Sequence, residues 1–120
     1  MLWQHDNGAN DDVHGRRVDT NGTLLGSELA IASGESEQQR PALAYDEATG
    51  EYAAAWQHSS ETSQGYDIHS HVLDSSGARR GSEEALAEVV NGQQLPALAY
   101  DSRLGRFLVV WSDYGKKPPQ

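Results

Sequence analysis

The chain repeats itself. Pro41-Ala42-Leu43-Ala44-Tyr45-Asp46 returns as Pro96-Ala97-Leu98-Ala99-Tyr100-Asp101, 55 positions further on. At that offset residues 12–56 lie over residues 67–111, and 19 of the 45 pairs are identical. They include Asp12/Asp67, His14/His69, Asp19/Asp74, Gly22/Gly77, Gly26/Gly81, Glu28/Glu83, Gly50/Gly105 and Trp56/Trp111. The identities run through turn residues as well as apolar stretches, so what repeats is a structural unit. Leu2-Trp3-Gln4-His5 matches Ala55-Trp56-Gln57-His58, which places an extra tryptophan strand at residues 1–5. The loop after Trp3 is two residues shorter than the loop after Trp56. Residues 1–115 therefore read as one domain of two repeats, 12–56 and 67–111. Residues 116–120 form a polar, proline-containing tail that is expected to fray.

Each repeat reads as four short strands, so the expected class is all-β. The first is Val13 to Asp19, or Ile68 to Asp74, closed by the turn signals Asp19-Thr20-Asn21-Gly22 and Asp74-Ser75-Ser76-Gly77, in which Asn and Gly tolerate positive φ. The second lies near Leu29–Ala32 and Ala85–Val89. The third is Pro41–Tyr45 or Pro96–Tyr100, with proline at the first strand position, where no ladder donor is lost. The fourth is Tyr52–Trp56 or Phe107–Trp111. Phe107-Leu108-Val109-Val110-Trp111 is apolar at every position and reads as a strand covered on both faces. Tyr52-Ala53-Ala54-Ala55-Trp56 taken alone would also suit a helix, but the repeat register makes it a strand.

The order of these signals resembles the repeats of bacterial β-propellers. A tryptophan strand is followed by Asp67-Ile68-His69, Asp74-Ser75-Ser76-Gly77, Gly81-Ser82-Glu83, Gln93-Gln94-Leu95-Pro96-Ala97-Leu98-Ala99-Tyr100-Asp101 and the next tryptophan strand. The likeness spans Trp3 to Asp113, and it implies one four-stranded antiparallel blade per repeat. His14 and His69 depart from it, standing where an aromatic residue, commonly tyrosine, is expected. Copy number departs further, because a propeller closes with about four or more blades. Two blades leave apolar faces and strand edges open, so the resemblance implies completion by homo-oligomerisation, as in some small lectin propellers built from two-blade chains. The alternatives are a piece of a larger propeller and a small sandwich of the two repeats.

The charge balance narrows the partners. Eighteen acidic side chains face nine basic ones, a formal charge of −9. That surface repels phosphate backbones and anionic membranes, so neither nucleic acid nor membrane is expected as a partner. No stretch is long and apolar enough to span a bilayer, and residues 1–10 lack the pattern of a secretory signal, which leads to the expectation of a cytoplasmic protein. With no cysteine, thiolate metal sites and cysteine nucleophiles are excluded.

Candidate functional residues are few. Trp3, Trp56 and Trp111 share one repeat position and could stack on a sugar, although filling the core is the simpler role for them. His69 and His71 stand two apart on one strand, a pattern that can ligate a divalent metal if His58 and Asp67 complete the set. The acidic loop from Asp6 to Asp12 fails the calcium-loop template, because Asp11 stands where glycine is required. The repeated Asp12/Asp67, Glu28/Glu83, Asp46/Asp101 and Gln39/Gln94 are expected to serve turns and backbone groups. Neither a nucleophile elbow nor a phosphate loop is present. The sequence thus points to a non-catalytic binding module without a cofactor, its expected partners being itself and a carbohydrate or another protein. Two alternatives stand: a structural assembly unit or orphan propeller fragment, and a metal-dependent hydrolase with an intersubunit site.

Overall fold

The computed structural model describes residues 1–6, 8, 10–33, 36–59, 66–87 and 93–113. The expected tail at 116–120 and the end of the expected strand at Val89 lie outside these residues. Among the described residues nine strands follow in order: β1 (Leu2–Asp6), β2 (Asp11–Val18), β3 (Leu24–Ala32), β4 (Gln38–Asp46), β5 (Glu51–Ser59), β6 (Tyr66–Leu73), β7 (Arg79–Ala87), β8 (Gln93–Asp101) and β9 (Arg106–Asp113). All pairings are antiparallel and they form three sheets, β1-β2-β3, β4-β5-β6-β7 and β8-β9. The class is all-β, as expected, but the expected two four-stranded units are not what forms. One sheet has four strands, one three and one two. The break between sheets falls inside each repeat, so repeat 12–56 gives two strands to the first sheet and two to the second. The loop between the second and third strands of a repeat is where the chain leaves one sheet for the next.

The sheets are layered. Strand alternation gives each strand two faces. On one face of the middle sheet Ala54, Trp56 and Leu73 pack against Val13, Ile31 and Ala32 of the first sheet, with Leu2, Leu29, Leu43 and Tyr52 around them. On the other face Ala53, Ser70 and Val72 stand across from Leu98, Phe107 and Val109 of the third sheet. The run Ala53-Ala54-Ala55 is buried on both sides. Alanine is a weak strand former in isolation, yet its small side chain lets a sheet approach from each side, and packing decides the outcome. Gly15 acts similarly in the first sheet, since a Cβ there would meet Leu2 Cδ2 at 2.6 Å.

A repeated hydrogen bond ties each sheet to the next. Arg40 and Leu95 occupy equivalent positions and both adopt left-handed backbone, with φ of 51° and 57°. That region is costly for a side chain with a Cβ, and the residue before proline ordinarily prefers an extended conformation. Each marks a register shift in its strand, between Gln39 and Ala42 and between Gln94 and Ala97. The twist turns the backbone N–H out of the ladder and toward the preceding sheet. There Arg40 N donates to Gln4 Oε1 and Leu95 N to Gln57 Oε1, both at 2.8 Å. Pro41 and Pro96 therefore sit inside their strands, correcting the expectation that they open them. A bulge tolerates proline because no ladder donor is needed there.

The repeated aspartates organise turns. Asp74 Oδ1 accepts from Ser76 N and Oγ at 2.8 and 2.6 Å and from Ala78 N at 3.0 Å. Asp19 Oδ1 accepts from Asn21 N and Thr23 N in the equivalent turn. Asp46 and Asp101 each accept from the N–H two residues on, Ala48 and Arg103.

Replacing Gln57, which is buried, by alanine leaves the Leu95 N–H without its acceptor. The expected cost is about 1–3 kcal/mol in urea denaturation, and less for Gln4→Ala at the exposed equivalent. The bonds to Thr49 and to Ser76 hold the Asp46 and Asp74 carboxyls below the usual carboxylate range. Their contribution is present above the ordinary aspartate value of about 4 and is lost as pH falls through the lower folded-state values. An Asp46→Asn/Asp74→Asn double variant should be less stable than the parent at neutral pH and lose less stability on acidification below about pH 4, as followed by thermal melts.

Candidate functional site

Strand pairing assembles the same polar cluster twice. In the first sheet Trp3 lies opposite His14 and His5 opposite Asp12, so these four side chains share one face. In the middle sheet Trp56 lies opposite His69 and His58 opposite Asp67 in the same arrangement. The diagonal neighbours His5 and His14 stack with ring centroids 4.3 Å apart and planes 14° apart, and His58 and His69 at 4.0 Å and 16°. The next strand of each sheet adds a glutamate. His14 Nδ1 donates to Glu28 Oε1 at 2.5 Å, and His69 Nδ1 to Glu83 Oε2 at 2.7 Å. These bonds are the main reason both glutamates are held below the ordinary carboxylate range, against the opposing effect of their partial burial.

The two clusters differ on one side. His58 Nδ1 meets Gln38 Oε1 of β4 at 3.0 Å. Among the described residues β1 has no strand beyond it in the first sheet, so none of them stands against His5 as Gln38 does against His58. The donor atoms of His5, His14 and Glu28 lie within 4.8 Å of one another. The metal set expected from the sequence, His58, His69, His71 and Asp67, is distributed differently. His58 and His69 join the second cluster, Asp67 is buried, and His71 turns its Nε2 to the Gly81 carbonyl at 3.1 Å. The repeat predicts that Glu28 and Glu83 serve turns and backbone groups, whereas the structure sets them against His14 and His69. Their link to the histidines depends on a diagonal across two strands, which only the register supplies.

The three tryptophans have unequal surroundings. Trp56 is 0% exposed in the core between the first two sheets. Trp3 and Trp111 are half-buried. Trp3 projects from β1 opposite to Leu2, which packs on the core, so it lies on the outward face of the first sheet. A cleft of about 280 Å³ opens between the first and middle sheets, with Leu29, Leu43 and Tyr52 in its apolar lining and Arg16 and Arg17 in its polar lining. That volume is at the small end for a ligand site.

No protein-family model, curated protein or solved structure matches the chain. The unequal burial of the tryptophans gives a direct check. Trp56→Ala should destabilise the protein by about 3–5 kcal/mol in urea denaturation, and Trp3→Ala by less than half as much.

Proposed function

We propose that this protein is a non-catalytic interaction module whose blade-like sheets continue into a second copy of itself. The observation that carries this is an interface the chain already makes twice within itself. The tryptophan face of the middle sheet covers the first sheet on the side of Leu2 and Val13. The matching face of the third sheet, with Phe107 and Val109, covers the middle sheet on the side of Ala53. By the same alternation the third sheet turns Leu108 and Val110 outward, 63% and 54% exposed. These positions correspond to Ala53 and Ala55, which are buried by a neighbouring sheet. The first sheet turns Trp3 outward at the position where Trp56 is covered. The chain thus presents both halves of its own repeated contact, one at each end of the layered stack. Leu95 and Leu104, in the same hairpin, are exposed as well.

A second copy covers one end, and both ends are covered when two or more copies close into a propeller-like ring, each added sheet keeping the same rotation. Light scattering on the size-separated protein tests this. The expected mass is two or more times the 13.1 kDa chain. The double variant Leu108→Lys/Val110→Lys, at exposed positions, should run as a monomer with an unchanged circular dichroism spectrum. A wild-type chain that stays monomeric at 100 µM, roughly the range in which weak interfaces associate, sinks the proposal.

A further inference from the structure

We propose that His5, His14 and Glu28 form a binding site for a divalent transition cation of the zinc class. Two imidazoles and one carboxylate are the donor types that zinc takes, and three protein ligands leave further positions for water. The donors are already gathered within 4.8 Å of one another. Zinc ligands in tetrahedral array stand about 3.4 Å apart, so closing the site needs only side-chain adjustment. Three strands contribute one ligand each, β1, β2 and β3, so the site rests on a hydrogen-bonded sheet rather than on a loop. His14 is already held by Glu28 at 2.5 Å.

The second cluster serves as a built-in comparison. It has the same residue types at the same sheet positions, but His58 is engaged by Gln38, a residue of a strand with no counterpart beside β1. A cation arriving at His58 must displace that bond, whereas among the described residues His5 has no counterpart of Gln38 in the first sheet. The cation site is therefore assigned to the first sheet. It does not depend on the proposed self-association. In the middle sheet the covering of Trp56 leaves the Glu83 side chain 37% and the His69 side chain 13% exposed, so stacking on Trp3 leaves the carboxylate of the equivalent cluster accessible to solvent.

Titration of the full chain with zinc chloride, followed by calorimetry, tests the assignment. The expected result is saturable binding that weakens at least tenfold in His5→Asn and in Glu28→Gln. The matched variants His58→Asn and Glu83→Gln should retain wild-type affinity within about twofold, the ordinary effect of a remote change. Circular dichroism of each zinc-free variant establishes that the sheets are intact. His5 and Glu28 are chosen because neither belongs to the apolar core, and imidazole NMR signals of His5 and His14 that shift on zinc addition give a second readout. The assignment is overturned by absence of saturable binding, by affinity indifferent to His5 and Glu28, or by affinity that follows His58 and Glu83 instead.

Discussion

The layered structure depends on one contact, a glutamine side chain that captures a backbone N–H from the sheet that follows. Gln4 does this for Arg40 and Gln57 for Leu95. The captured N–H is free only because the residue bearing it adopts left-handed backbone inside a bulge just ahead of a proline. Strain, bulge and proline on one sheet thus complement a single amide on the next, and each is costly without the other. Burial reinforces the link. The sheets must come close for the amide to reach, and Ala53, Ala54 and Ala55 let them.

Much of the fold is legible in the sequence because the repeat carries it. A 55-residue offset that preserves turn glycines, turn aspartates and the tryptophan strand locates all nine strands, and the structure places strands at each. The alanine strand shows why the repeat outweighs local preference. Taken alone it suits a helix, while its register partner Phe107–Trp111 does not. What the sequence hides is where one sheet stops and the next begins. A repeat defined by similarity has an arbitrary phase, and here the sheet boundary falls in its middle. The bulges at Arg40 and Leu95 are equally hidden, because proline at a strand start and proline at a bulge leave the same trace in composition.

The polar cluster was half legible. The pairs His5/His58 and His14/His69 are visible as repeats, and so is Glu28/Glu83, but their meeting is not. It requires an antiparallel register that sets a Trp-x-His strand against an Asp-x-His strand, and a third strand that brings the glutamate in on the diagonal. His69 and His71, two apart on one strand, were the more obvious pair by spacing. Spacing along one strand gives a common face, whereas a shared site needs partners across strands.

The position that holds Gln4 and Gln57 is occupied at its third occurrence by Ser112. Two features follow for any contact made beyond the third sheet. Its two surfaces are unlike, a tryptophan face meeting a leucine–valine face, so it is heterologous and carries a direction. Such contacts close into a ring only where the rotation per step divides a full turn, and otherwise run on as a filament. A serine is too short to grip the next backbone as glutamine does, so such a junction lacks that bond. The joints inside a chain and the joints between chains would then differ in chemistry although they share a geometry, the first fixed by a directional bond and the second free to slide and settle.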